Sequence, residues 1–502
     1  MPLRHFSREQ AWLFPPTLDD FLPRNHPARF VASLLDCLDS NALRELEGGP
    51  MGDPMGAPAY HPHALLSVWV YGFMTGVRSS RRLEAACRDQ IPYRWLSGNQ
   101  QPDHNTLWRY YEGHRHAMRS LLQRTVKVAV HAGLVDLALQ AVDGTKIAAN
   151  AGPSRTLDAE GLLRLLRRTE QAILDLEADN VTGGDAPVPG LPEALQEQRA
   201  LQQRVEAALE QVQAEEGPHR VNVTDPDARL LRTSGGFVTG YNAQAMVSAI
   251  NVGGQRGMLI TAVDVVAEGD DHPQLGTMVA AAAENTGRRE GATTLAHAGY
   301  YSASNLQAAK EGNRVLMPSP QRRKQERNPY YKDHFTHDAA KDTYQCPQGQ
   351  TLAYVGTMRH EDGYLVRIYQ AKGKVCRACP AFGQCTTDRR GRRLKVGEYE
   401  QVHRRHQEMM QGDEAKALYA RRKELVEPVF GIIKEQQGGR RFLLRGLANV
   451  QAEWSLLAVG FNLRSLLRAW NARLFRPHPL VPYHAEMPRD STPRCHKAFA
   501  LA

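Results

Sequence analysis

Residues 137–148 read Leu-Ala-Leu-Gln-Ala-Val-Asp-Gly-Thr-Lys-Ile-Ala. A short apolar run that stops at Asp143 and passes into Gly144-Thr145-Lys146 predicts a buried strand ending near that aspartate. Residues 236–250 (GFVTGYNAQAMVSAI) and 257–267 (GMLITAVDVVA) read as two more strands, and Gly253-Gly254 between them is a hairpin signal. Asp270 or Asp271 is placed to cap a helix through Gln274 to Glu284. A fourth strand, Thr293 to Ala296, runs up to His297, and a helix starts from Ser302. The order strand, insert, strand, strand, helix, strand, helix predicts an α/β fold with a mixed sheet interrupted by insertions.

The segments around this core differ in character. Residues 1–135 read as mostly helical. His63 to Thr75 is apolar, Ser80 with Glu84 marks a helix start, and Asp103 or Asn105 caps a helix over Leu107 to His116. Such helices suit either a helix-turn-helix-like DNA reader or an ordinary bundle. Residues 136–317 hold the first part of the core. Within them, 154–216 reads as an antiparallel helical hairpin, with seams at Leu162, Leu166, Ile173 and Leu176 and at Leu201, Val205, Ala208 and Val212. Its breaker is Val181-Thr182-Gly183-Gly184-Asp185-Ala186-Pro187-Val188-Pro189-Gly190. Residues 318–400 form a basic, Cys-bearing insert. Residues 401–475 return to helix, with an amphipathic last helix over 452–472, and the proline-bearing 476–502 reads as a loose tail.

The bulk numbers narrow the function. The chain has 502 residues, 42% of them hydrophobic, enough for a sizeable core and more than one domain. Net charge is +9 and the pI about 9.2, which favours a polyanionic partner such as nucleic acid. The N-terminus has no apolar signal region, and the stretch from Trp454 to Trp470 is short for a membrane span and holds Arg464 and Arg468. A cytoplasmic protein without membrane contact is the expectation. Of seven cysteines, Cys346, Cys376, Cys379 and Cys385 cluster. In a reducing compartment they read as a closed zinc site, with His334 and His337 in reserve, or as free thiols. Cys37, Cys87 and Cys495 read as isolated thiols. Basic runs include Arg322-Arg323-Lys324, Arg389-Arg390-Gly391-Arg392-Arg393 and Arg440-Arg441.

Three acid-bearing or acid-replacing stretches carry a family resemblance: Asp143-Gly144-Thr145-Lys146, Thr294-Leu295-Ala296-His297-Ala298-Gly299-Tyr300-Tyr301, and Val426-Glu427-Pro428-Val429-Phe430-Gly431 with Lys434. Together with Gly240-Tyr241-Asn242-Ala243-Gln244, Tyr93-Arg94-Trp95-Leu96 and Pro102-Asp103-His104, they resemble bacterial insertion-sequence transposases of the DDE type. The resemblance implies an RNase H-like core. It implies a two-ion Mg²⁺ or Mn²⁺ site for DNA cleavage and strand transfer, with Asp143 and Glu427 as metal-binding carboxylates. It implies double-stranded DNA as partner, both the element's terminal inverted repeats and its target, and a homodimer. DNA contacts would fall on Lys146, Arg422, Lys423, Lys434, Arg440, Arg441 and Arg445. The family has aspartate where this chain has His297. A neutral imidazole offers one nitrogen in place of a charged carboxylate. Two readings stay open: an active or impaired transposase with Asp143, His297 and Glu427 at its centre, or a catalytically inactive DNA-binding relative.

Overall fold

The computed structural model describes residues 16–36, 58–182, 193–215, 217–233, 235–288, 291–308, 314–320, 327–359 and 364–472. Cys37, Cys495, Arg322, Arg323, Lys324, the tail from 476 and residues 183–190 of the breaker lie outside them.

Among the described residues five α-helices lead: α1 (Pro27–Asp36), α2 (Pro62–Thr75), α3 (Ser80–Asp89), α4 (Ile91–Leu96) and α5 (His104–His131). Ser79, not Ser80, caps α3, its hydroxyl accepting from Arg82 N at 3.3 Å. Glu84 faces His104 instead, at 2.9 Å. Asp103 caps α5 through Thr106 N at 2.7 Å. This helix continues far beyond His116, because Met118, Leu121, Leu122, Val126 and Ala129 keep an apolar stripe running. The stripe is buried in the core, so α5 packs along most of its length.

The main sheet comprises β1 (Val135–Ala148), β4 (Arg229–Thr233), β5 (Gly236–Val252), β6 (Gln255–Val266), β7 (Thr293–Ala296) and β8 (Arg314–Leu316). β5 lies antiparallel to β1, β4 and β6, and β7 and β8 extend the sheet parallel to β1. The order is β4 and β6 on one edge of β5, then β1, β7 and β8. This is the mixed α/β sheet expected of the sequence. Gly253 and Gly254 take φ of 58° and 84°, the left-handed pair that a two-residue hairpin turn demands. β2 (Thr156–Leu157) and β3 (Val221–Asn222) pair at the foot of the helical hairpin α6 (Ala159–Thr182) and α7 (Glu193–Gln213). Leu162, Val205 and Ala208 close its seam, with Val221 and Val223.

The strand alternation splits the sheet into two faces. Val142, Met246, Ala262 and Ala296 pack under α8 (Gln274–Thr286) and α9 (Ala303–Ala308). Ala141, Ile147, Ala243, Ala245 and Leu295 face a larger core shared with α1 to α5, α12 (Asp413–Gln436) and α13 (Leu447–Asn471). The last helix is not amphipathic: consecutive residues from Ala452 to Leu463 are all buried. It lies between the leading helices and the sheet, so every face meets protein. Two polar links fix it. Asn462 brackets the β6 bulge, accepting from Ile260 N and donating to Ile260 O, each at 2.8 Å. Glu453 pairs with Arg78 at 2.6 Å, with side-chain exposures of 2% and 6%, and also accepts from Leu443 N and Leu444 N.

The insert folds as a five-stranded antiparallel sheet of β9 (Thr336–Asp338), β10 (Thr343–Gln345), β11 (Thr351–Arg359), β12 (Leu365–Ala371) and β13 (Arg393–Gly397), in the order 13-12-11-10-9. The turn of helix α10 (Gly373–Arg377) follows β12, and α11 (Glu400–Gln411) leads into α12. No helix among the described residues is long and apolar enough to cross a membrane.

Candidate functional site

β1 and β7 run side by side from Leu139 opposite Thr293 to Val142 opposite Ala296. β7 then stops, while β1 continues to Ala148. Asp143 is therefore inside its strand rather than at its end, and it stands beside the first residue past β7, His297. Alternation sends Asp143 and Thr145 to the α12 face and Gly144 and Lys146 to the α8 face.

His297 reaches around the end of β7 and joins the two faces. Its Nε2 lies 3.2 Å from Asp143 Oδ1 and 3.2 Å from Asp271 Oδ2. Its Nδ1 accepts from Gly299 N at 2.8 Å, so the proton of the neutral ring sits on Nε2 and is shared between the two carboxylates. Gly299 is required here, because a Cβ would fall 2.3 Å from His297 Cε1. On the α12 face Arg422 Nη1 holds Asp143 Oδ2 at 2.8 Å. On the α8 face Asp271 Oδ1 accepts from Asn242 Nδ2 at 2.7 Å and Gln244 Nε2 at 2.8 Å, with Lys146 Nζ at 3.5 Å. Tyr300 donates to Gln244 Oε1, and its buried hydroxyl is pushed well above the usual phenol range. Burial would raise Asp271. The bonds from His297, Asn242 and Gln244 and the charge of Lys146 outweigh it and hold the carboxyl well below the usual range.

Asp271 is the residue that sequence reasoning misassigned. It does not cap α8 with its side chain; Pro273 occupies the N-cap, and only the backbone carbonyl of Asp271 accepts, from Gln274 N. A signal was present in Asn242 and Gln244. Two primary amides two residues apart on a buried strand face require acceptors. Gly144 makes the arrangement possible, since a Cβ there would come within 2.4 Å of Gln244 Nε2 and 2.6 Å of Asp271 Oδ1.

Glu427 lies on the exposed side of α12. The helix runs through Pro428 without ending; Lys434, seven residues after Glu427 and so on the same side of the helix, reaches Thr145 of β1. The structure thus brings Asp143 and His297 together with Asp271, and leaves Glu427 exposed, with no hydrogen bond or ion pair to them among the described residues. Among the described residues, no group of three or more His, Cys, Asp or Glu is arranged to hold a metal ion. The donor set does not fit a pair of divalent ions. Arg422 and Lys146 already answer the charges of Asp143 and Asp271, and His297 adds no negative charge.

Several cations expected to touch DNA are engaged within the protein. Besides Arg422, Lys146 donates to Gly269 O at 2.7 Å, and Lys434 donates to Thr145 Oγ1 at 2.5 Å. Burial, then the charge of Arg440, pulls the Lys434 amine below its usual range. Arg440 pairs with Glu435 at 2.5 Å, and Arg445 donates to Asn150 O at 3.0 Å. Lys423 and Arg441 are exposed.

Cys346, Cys376, Cys379 and Cys385 line one small cavity under the insert sheet. Cys346 Sγ accepts from Gln350 N and Cys376 Sγ from Arg392 N, each at 3.3 Å. Burial raises the Cys385 thiol, opposed by Arg392 and reinforced by the other three sulfurs. Among the described residues no histidine lines the cavity; His337 packs against Tyr344 instead.

The architecture and this centre define a mixed α/β protein in which two aspartates and a histidine gather beside the end of β7. Residues 345–467 match the model of a transposase DDE domain, and residues 16–113 match that of a transposase domain (DUF772). The two matches indicate an insertion-sequence transposase of the DDE type. Transposases act on DNA, and the DDE family generally uses divalent metal ions. The DDE match includes Glu427 and the four clustered cysteines, while Asp143 and His297 lie outside it. No curated protein matches the chain.

Proposed function

We propose that this transposase binds the terminal repeats of its element as duplex DNA, and that metal-dependent strand cleavage is impaired by His297. The observation that carries the proposal is the imidazole shared between Asp143 and Asp271, which occupies the gap a cation would need. An N–H donor there satisfies both carboxylates without any ion. The exposed position of Glu427 favours the neighbouring reading, a DNA-binding relative that occupies element ends without cutting them.

The test is strand nicking on duplexes carrying the repeats that flank the gene, in Mg²⁺ and in Mn²⁺. The unaltered chain should bind and nick weakly, and His297→Asp should raise nicking. Robust Mg²⁺-dependent nicking by the unaltered chain, or no gain in a His297→Asp variant that still binds, would overturn the proposal. Two finer assignments accompany it. The four clustered thiols hold one Zn²⁺, drawn together on binding. The chain pairs as a homodimer to hold two ends. One zinc per chain, lost in Cys379→Ser, and a dimer mass in solution would bear these out.

A further inference from the structure

The cations that would be expected to meet DNA around the Asp143 centre are largely spent on internal partners, whereas another part of the molecule has the opposite balance. Residues 372–397 hold eight Lys and Arg against a single acid, Asp388, in a chain whose whole net charge is +9. Seven of these cations, Lys372, Lys374, Arg377, Arg389, Arg390, Arg393 and Lys395, are exposed. The eighth, Arg392, is turned inward, donating to Cys385 O and Tyr330 O at 3.2 Å and lying over the Phe335 ring. Asp388 is occupied by Arg390, whose N and Nε lie 2.8 and 3.4 Å from its Oδ1. The side chains of Lys372, Lys374, Arg389 and Lys395 carry no ion pair or hydrogen bond among the described residues.

The fold gathers them onto one rigid edge. Arg393 and Lys395 pair with Gln370 and Ile368 of β12. They share a sheet face and stand about 7 Å apart at ~3.4 Å per residue, against about 3.4 Å of duplex axis per phosphate on one strand. The 389–391 turn folds back on α10 and the end of β12: Arg377 donates to Arg389 O, and Gln370 Nε2 donates to Arg390 O at 3.0 Å. Gly391, at φ 105°, presses against Ala371 O so closely that a Cβ would sit 2.1 Å away. Lys372 and Lys374 therefore lie beside Arg389, with Arg393 and Lys395 continuing the row. The buried cluster of Phe335, Tyr344, Leu352, Tyr369 and Leu394 on the opposite face keeps the sheet stiff.

The geometry points to this edge of the Cys-bearing insert as a phosphate-backbone contact surface for duplex DNA. The inference rests on the transposase reading above and goes further by assigning the contact to the insert rather than to the Asp143 centre. Cations that meet the phosphates of a duplex give affinity that is indifferent to sequence and steep in salt. It positions the duplex while sequence is read elsewhere.

The test replaces Lys372, Lys374, Arg389 and Lys395 together with glutamine in the full chain. Binding of a random-sequence duplex is measured across a salt series. Each lost phosphate contact should reduce the slope of log K against log salt by about 0.9, so the four together should remove roughly 3 to 4. The urea midpoint should stay unchanged, since these side chains hold nothing inside the protein. A control replacing exposed Arg164, Arg167 and Arg168 of the helical hairpin should leave the slope as it is. If the unaltered chain binds and the fourfold variant keeps its slope, or the control loses slope equally, the insert surface is refuted while the transposase reading stands. Absence of duplex binding by the unaltered chain would overturn both.

Discussion

Replacing His297 with aspartate should convert a centre that is satisfied by itself into one that needs a cation. In the native centre the Nε2 proton is shared between Asp143 Oδ1 and Asp271 Oδ2; with each oxygen 3.2 Å from Nε2, the two stand no more than about 6 Å apart. Removing the ring forfeits a hydrogen bond to charged groups, about 1.5–3 kcal/mol. It also adds a third negative charge within about 6 Å of the other two. At an effective dielectric of about 20 each such pair repels by roughly 3 kcal/mol. Arg422, 2.8 Å from Asp143, and Lys146, 3.5 Å from Asp271, offset part of that. A net loss of roughly 2–4 kcal/mol without added divalent ion is expected from these opposing effects. A divalent ion at 100 times its dissociation constant would return about 2.7 kcal/mol. The assay is urea denaturation of both proteins, without chelator, in the absence and presence of Mg²⁺ or Mn²⁺. His297→Asp should be destabilised without the added ion and recover with it, while the native chain responds little. Equal metal stabilisation of both proteins, or a His297→Asp variant indifferent to metal, would refute the reasoning.

Further outcomes follow from the same contacts. Glu453→Gln should cost about 3–5 kcal/mol, because Arg78 is left charged in a buried site; a urea-midpoint shift worth less than about 1 kcal/mol would mean solvent reaches the pair. Asp271→Asn should change the acid limb of stability. The native carboxyl is depressed below its unfolded value of about 4, so its contribution is complete above that pH and fades as pH falls toward the folded pKa. The variant should be less stable at neutral pH and lose less on acidification, and parallel pH profiles would contradict this. Gly144→Ala should displace Gln244 and Asp271, lowering stability by roughly 1–3 kcal/mol through overpacking; no change in the denaturation midpoint would show that the amides can yield.

The sheet was legible because its strands obey a local rule. Alternation and apolar runs mark β1, β5, β6 and β7, and Gly253-Gly254 marks the turn that joins β5 to β6. The helical hairpin was equally plain, since its seam recurs at helical spacing. The insert sheet was not: β11 is exposed at most positions, so no apolar periodicity announces it. The last helix was misread for the opposite cause, burial on all sides, which erases the polar face that signals amphipathicity.

By itself, then, the sequence determined the mixed α/β character, the departure at 297 and the clustering of four cysteines along the chain. Only the tertiary structure decided what those residues do to one another. Asp271 is 26 residues before His297 and 128 after Asp143, and nothing in that spacing marks it as their partner. It joins them because β7 ends at Ala296 and lets one imidazole pass between the two faces of the sheet. The same folding turned Arg422, Lys146 and Lys434 inward and left the cations of the insert exposed. Charge is written in the sequence, but whether a charge meets a carboxylate or solvent is settled by which faces pack, and packing is a long-range property of the chain.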